Sequence, residues 1–239
     1  MKAQRIPAQP DKHLVDKAQC VYRLLERHYG LPEWRQPLPA VDELVSTILS
    51  QNTNDNNRDL AFERLKARFA DWEAVRDGEI GAVIEAIRPA GLANQKGPRI
   101  QSILAAISAE SGSLDLDFLR EMPREEARAW LSRFKGVGPK TAAIVMQFSL
   151  GMPVFPVDTH VHRVSGRLGL RPEKMSAEAA HGWLEALFTE EQYGPGHLNI
   201  IRLGREICAA RQPRCELCPL REECDYFRDV IERKIDDPA

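Results

Sequence analysis

Apolar residues recur at helical spacing in segment after segment of this chain, and almost nowhere at the two-residue spacing of a half-buried strand. The pattern runs through 15–29, 41–50, 60–69, 80–87, 100–107 and 125–134. It returns in 141–150, 161–168, 177–188 and 198–207. Breakers stand between the runs: Gly30-Leu31-Pro32, Gln36-Pro37-Leu38-Pro39, Pro89-Ala90-Gly91, Gly97-Pro98, Gly151-Met152-Pro153 and Gly194-Pro195-Gly196. These features predict an all-α protein of about ten short helices joined by tight turns. Ser176 and Glu178 predict an N-terminal capping turn before the run at 177–188. There is no internal repeat and no low-complexity segment, and the polar stretches 1–11 and 228–239 are expected to be loose.

A chain of 239 residues can bury a sizeable core, as one large domain or two small ones. With 43% hydrophobic and 28% charged residues, its composition is that of a soluble globular protein. No apolar run approaches the roughly 18 residues that span a membrane. The first residues lack the apolar core of a secretory signal, so a cytoplasmic protein is expected, nucleoid-associated if bacterial. The net charge of −2 gives no support to nucleic-acid binding. Local charge differs. Between Leu131 and Arg171, Arg133, Lys135, Lys140, Arg163, Arg167 and Arg171 face a single acid, Asp158. A basic face of this kind can follow a phosphate backbone; the plainer alternative is a pair of helices with solvated cations.

In Phe134-Lys135-Gly136-Val137-Gly138-Pro139-Lys140 the glycines permit backbone angles that other residues resist and let a ligand approach the main chain. Pro139 suits a first helical position. The amides of Gly136, Gly138 and Lys140 would then point outward at a helix start, a place for one phosphate oxygen. A structural turn between two helices is the competing reading. The amphipathic run before it and the helix after it make a helix-hairpin-helix, which favours phosphate contact without sequence reading. A lysine at such a helix start, partly desolvated, is a usable amine nucleophile. Asp158, in Val157-Asp158-Thr159-His160, reads as a helix N-cap. A carboxylate so held can also accept a proton or stabilise an oxocarbenium-like sugar. His160 and His162, two apart on a helix, diverge and do not suggest a metal.

Four of the five cysteines fall together as Cys208-x6-Cys215-x2-Cys218-x5-Cys224. Without a secretory signal the cluster argues for metal before disulfides. Zinc and an iron–sulfur cluster both suit such thiolates; the long first gap and Pro219 lean toward [4Fe–4S]. Arg211, Arg214 and Arg221 lie among them, so the loop could present cations to phosphate. Cys20 stands apart and is expected to be a core thiol.

Together, GVGPKTA, VDTHVHRVSGRLGL, the cysteine spacing and Leu203-Gly204-Arg205 before Cys208 resemble the endonuclease III family of DNA glycosylases in the helix-hairpin-helix superfamily. The resemblance covers residues 38 to 224. It implies a two-domain fold: a six-helix barrel with the helix-hairpin-helix over 34–152, and a discontinuous iron–sulfur domain from 1–33 and 153–239. It implies a [4Fe–4S] cluster on Cys208, Cys215, Cys218 and Cys224, and DNA contact at Gly136, Val137 and Gly138. Lys140 would be the catalytic amine and Asp158 its acidic partner. The implied partner is double-stranded DNA carrying oxidised or ring-saturated pyrimidines, and the expected state is a monomer. The base would be flipped out, displaced by Lys140 through a Schiff base, and the strand nicked by β-elimination.

Two loops resemble the family's duplex-opening parts. In Ile48-Leu49-Ser50-Gln51-Asn52-Thr53, Asn52 is the expected plug for the space left by the flipped base, with Gln51 second. In Gly91-Leu92-Ala93-Asn94-Gln95-Lys96, Leu92 is the expected wedge. Without the resemblance both read as turn loops. The chain departs from the family pattern at Phe134-Lys135, where Leu-Pro is usual, at Pro139, often basic, and at Asn52, commonly glutamine. Adenine-specific mismatch glycosylases carry a glutamate where Ser46 or Thr47 stands here, and lack the hairpin lysine. A monofunctional G:T mismatch glycosylase and a non-catalytic DNA-binding protein are the competing readings.

Overall fold

The structure, a computed structural model, describes residues 9–32 and 36–232. The expected domain boundary at Trp34 and the terminal stretches 1–8 and 233–239 lie outside the described residues. Every regular element among the described residues is helical, with no strand. The α-helices are α1 (Lys12–Tyr29), α2 (Ala40–Ser50), α3 (Asp55–Arg68), α4 (Trp72–Asp77), α5 (Ile80–Ala86), α6 (Ala93–Ser111), α7 (Arg124–Ser132), α8 (Pro139–Phe148), α9 (Thr159–Arg167), α10 (Ala177–Glu185) and α11 (Glu190–Glu206). No helix among the described residues is long and apolar enough to cross a membrane.

The chain divides into two compact units, Gln36–Met152 and a discontinuous one made of 1–35 with 153–239. The first contains α2 to α8. Its centre is α2, where every residue from Val41 to Leu49 except Asp42 is buried, Glu43, Ser46 and Thr47 included. That helix packs on α3 and α8, while α6 takes α4 and α5 against its flank. The sequence pattern predicts six helices here; α4 is the seventh. It has six residues, less than two turns, too few to show a helical period, and it is marked instead by its Asp71 cap.

The second unit packs α9 on α11 and α1 on α11, with α10 against α9. Its core joins Val21 and Leu25 of α1 to Phe155, Val161, Val164, Leu184 and Leu203. Helix starts are fixed by side-chain caps: Asp11, Asp158 and Ser176 each accept a backbone N–H, and Thr189 with Gln192 forms a capping box.

Two expected breaks are absent. Gly97-Pro98 lies inside α6 and Gly194-Pro195-Gly196 inside α11. Each proline forfeits one intrahelical hydrogen bond. Gly97 serves close packing instead, whereas Gly196 has room for a methyl group. A Cβ on Gly97 would stand 3.0 Å from Ile84 Cγ1 of α5, and one on Gly196 would lie 3.6 Å from the Phe155 ring. At Gly97 the close approach of α5 adds buried surface that favours a continuous α6.

Candidate active-site and DNA-contact residues

In the hairpin, α7 ends at Ser132 and a tight turn closes with Val137 N–H donating to Phe134 O at 2.9 Å. Val137 itself is buried and anchors the turn in the core of its unit. Gly136 has φ +95°, a backbone that strains any side chain, and a Cβ there would also displace the Arg99 side chain, so glycine is favoured. Gly138 is different: it caps α8 with φ −88° and faces open space. The N–H groups of Gly136, Gly138 and Lys140 have no acceptor among the described residues. Three donors without acceptors thus lie at or just before a helix N-terminus, where an anion is favoured.

Lys140 is the second residue of α8, exposed, with no hydrogen bond or ion pair among the described residues. The partial desolvation expected from the sequence is not supplied by the protein. Lys135 is likewise exposed and unpaired. The rest of the expected basic face is spent elsewhere. Arg133 pairs with Glu110 and stacks on Trp130. Arg163 donates to Cys208 O and Gly204 O, and Arg171, buried, to the carbonyls of His162, Pro172 and Glu173. Arg167 donates to Ala209 O at 2.7 Å and Ala210 O at 3.0 Å. These arginines fasten loops; only Lys135 and Lys140 remain as uncommitted cations of that segment.

Both candidate insertion residues sit at left-handed backbone positions. Asn52 has φ 55° and Leu92 has φ 50°, in a conformation that non-glycine residues seldom adopt. Asn52 is exposed and Leu92 is 48% exposed, an apolar side chain held out to solvent. Gln51, the second-choice plug, points inward: its Nε2 donates to Gly136 O at 3.0 Å and its Oε1 accepts from Arg99 at 3.1 Å. It ties the loop to the hairpin, which leaves Asn52 as the projecting amide. Lys96 and Arg99, both on α6, were not expected from the sequence. Lys96 reaches the carbonyls of Leu49 and Ala90 and Arg99 the side chain of Gln51, 48 residues away, so no side-chain motif marks them.

Asp158 belongs to the second unit. It is 8% exposed and caps α9, with Oδ1 accepting from Val161 N–H at 2.7 Å. No hydrogen bond to Oδ2 occurs among the described residues, so capping leaves one carboxylate oxygen uncommitted. His160 and His162 diverge as expected, toward Arg163 and Met175 O respectively.

Cys208, Cys215, Cys218 and Cys224 line one small cavity with Arg167, Arg221 and Tyr226, and none is in a disulfide. Burial pushes the Cys218 thiol up to about 11 and raises Cys215 and Cys224, with the neighbouring thiols adding to the rise. Arg167 Nη1 donates to Cys208 Sγ at 3.3 Å. Of the loop cations, Arg214 is turned back onto Glu206 O and Arg221 pairs with Glu222. Cys20 is half-buried beside Glu223, not in the core, because its face of α1 meets the cysteine loop.

Residues 45–188 match the HhH-GPD superfamily of base excision DNA repair proteins. The chain belongs to that superfamily. A candidate DNA glycosylase of Arabidopsis thaliana is 44% identical over 134 residues, which is 56% of this chain and 46% of that protein. Endonuclease III of Sulfolobus acidocaldarius is 32% identical over 190 residues, covering 79% of this chain and 82% of that protein. A trapped covalent intermediate of endonuclease III with DNA matches with TM-score 0.77 at 27% identity, over 90% of this chain and 98% of that one. The all-α fold is thus that of the helix-hairpin-helix DNA glycosylases.

Proposed function

We propose that this chain is a bifunctional DNA glycosylase and abasic-site lyase that removes oxidised pyrimidines from duplex DNA. One observation carries the reading: Lys140 presents an exposed, unpartnered amine at the start of α8, beside three amide donors without acceptors. The amides of Gly136, Gly138 and Lys140 hold a backbone phosphate and place the strand. The damaged nucleotide leaves the stack, since its sugar carbon is inaccessible within it. Asn52 fills the gap and Leu92 wedges the neighbouring step. Lys140 Nζ adds to C1′ as the glycosidic bond breaks, and the base departs with the bonding electrons and takes a proton from water. Asp158, through its uncommitted Oδ2, accepts the proton shed by the amine and stabilises positive charge on the sugar. Ring opening gives a Schiff base; loss of a C2′ proton then expels the 3′ phosphate and nicks the strand. Because the protein leaves Lys140 exposed, exclusion of water from the amine falls to the bound DNA.

A [4Fe–4S] cluster on Cys208, Cys215, Cys218 and Cys224 is part of this reading. The donor set fits. A four-iron cube takes each thiolate on a separate iron, which suits four thiols spread round one cavity. The cluster would supply a cationic centre that offsets four partly buried thiolates and pins the loop.

The test is a panel of duplexes with different lesions, incubated with and without borohydride. The wild type should give a covalent adduct with at least one oxidised pyrimidine, and Lys140→Ala none. An adduct surviving in Lys140→Ala would overturn the assignment. Alkali-dependent cleavage at G:T pairs without an adduct would replace it with a monofunctional mismatch glycosylase.

A further inference from the structure

Lys96 is a charged side chain almost wholly withdrawn from water, 2% exposed, and the chemistry above does not use it. Its Nζ donates to Leu49 O at 2.8 Å and to Ala90 O at 2.9 Å. Neither carbonyl is arbitrary. At the end of α2, Ser50 Oγ takes Thr47 O, Gln51 N–H takes Ile48 O and Thr53 N–H takes Ser50 O. Leu49 O is the one final carbonyl left, and Lys96 satisfies it. Ala90 O closes the short 3-10 turn Arg88–Ala90 and is satisfied by the same amine.

These two carbonyls stand at the roots of the two candidate insertion loops. Leu49 comes three residues before Asn52, and Ala90 two before Leu92. Both tips carry left-handed backbone, which persists only where the surroundings hold it. A methionine would fill the same space without burying a cation. What the amine adds is a rigid link from one loop to the other. No carboxylate pairs with Lys96 among the described residues, and burial, with Arg99 nearby, lowers its amine to about 8. One turn along α6, Arg99 holds Gln51, which holds Gly136 O. The same helix thus braces the plug loop against the wedge loop and against the hairpin.

We propose that Lys96 is a positioning residue for base extrusion, fixing the plug loop to the wedge loop so that Asn52 and Leu92 enter the duplex as one rigid pair. This rests on the reading of those loops as DNA-inserting.

The experiment uses the full chain and duplexes with 2-aminopurine beside the lesion, whose fluorescence rises on unstacking. In Lys96→Met, the fluorescence rise and single-turnover excision should fall together, excision by about a hundred-fold, the scale of an ångström-level misplacement. Affinity for undamaged duplex, held by the hairpin amides, should stay as in the wild type. Wild-type fluorescence and excision in the variant would overturn the proposal, as would an equal loss of excision and undamaged-duplex affinity. Should Lys96→Met not melt cooperatively, Lys96→Gln, which keeps a donor for one carbonyl, carries the same comparison and the same outcomes. Failure of the underlying reading shows separately, as a wild type that excises no lesion and opens no duplex.

Discussion

The observed cap and the proposed acid–base role of Asp158 can be separated by a pair of substitutions. Asparagine caps helices about as well as aspartate, so Asp158→Asn should keep the bond to Val161 N–H and the melting temperature. It should still lose base excision by about two to four orders of magnitude, the range for a positioned acid–base group. Asp158→Ala should lose excision and about 1 kcal/mol of stability besides. Wild-type excision by the asparagine variant would leave Asp158 as a cap alone. Lys96 makes a different prediction, about pH. Its amine titrates at about 8 in the fold against an ordinary 10.5, so between those values the unfolded chain binds more protons. Stability therefore rises with pH through that window, because the burial penalty of the charged form is present below it and is relieved above it. Denaturant midpoints from pH 7 to 11 should shift in favour of the wild type relative to Lys96→Met; a flat difference would contradict the buried, unpaired amine. These residues also differ in legibility. Lys140 and Asp158 stand out because their backbone devices are local, a Gly-x-Gly-Pro turn and a cap before Thr159. Lys96 does not, because its partners are backbone carbonyls of Leu49 and Ala90, which carry no side-chain signature.

At the scale of elements, the hairpin's two glycines do different work, and variants should show it. Gly136→Ala meets both a left-handed φ of +95° and the Arg99 side chain, so we expect a loss of about 1–3 kcal/mol. Gly138→Ala sits at φ −88° with open space around the new methyl, so the thermal midpoint should hardly move. The methyl would instead stand at the helix start where a phosphate approaches, and affinity for undamaged duplex should fall. A salt titration of binding alongside a melt separates the two; equal melting of both variants would refute the distinction. Helices themselves were legible through their apolar period, down to the Ser176 cap of α10. Two expected breaks were not: both glycine–proline pairs lie within continuous helices, and Gly97 is read by Ile84, a neighbour in space, rather than by the chain around it. The basic face failed for a related reason. Charge is visible in sequence, but whether Arg163, Arg167 and Arg171 face water or backbone carbonyls depends on the packing of distant loops.

At the scale of the molecule, each unit has its own core, and the cysteine loop is built into only one of them. Cys208, Cys218 and Cys224 pack against the apolar core that contains Phe155, Leu184 and Leu203, and Leu220, between Cys218 and Cys224, is fully buried. Arg163 and Arg167 stitch α9 to the carbonyls of Gly204, Cys208, Ala209 and Ala210. Burial and mutual proximity raise three of the four thiols, so four thiolates are tolerated there only with a compensating cation. Loss of the proposed cluster should consequently loosen the loop and α9, while the unit Gln36–Met152 keeps its core. Cys218→Ser, made in the full chain and followed by hydrogen exchange, should lose the broad visible absorbance of the wild type. Amides of 159–167 and 207–226 should exchange faster, and those of α2 and α8 should keep their protection. Lesion excision should fall with the loosening of α9, because Asp158 caps that helix. Uniformly faster exchange in both units would show that the loop supports the whole molecule. Unchanged exchange at α9 in a colourless variant would show that the four cysteines do not hold a structural cluster.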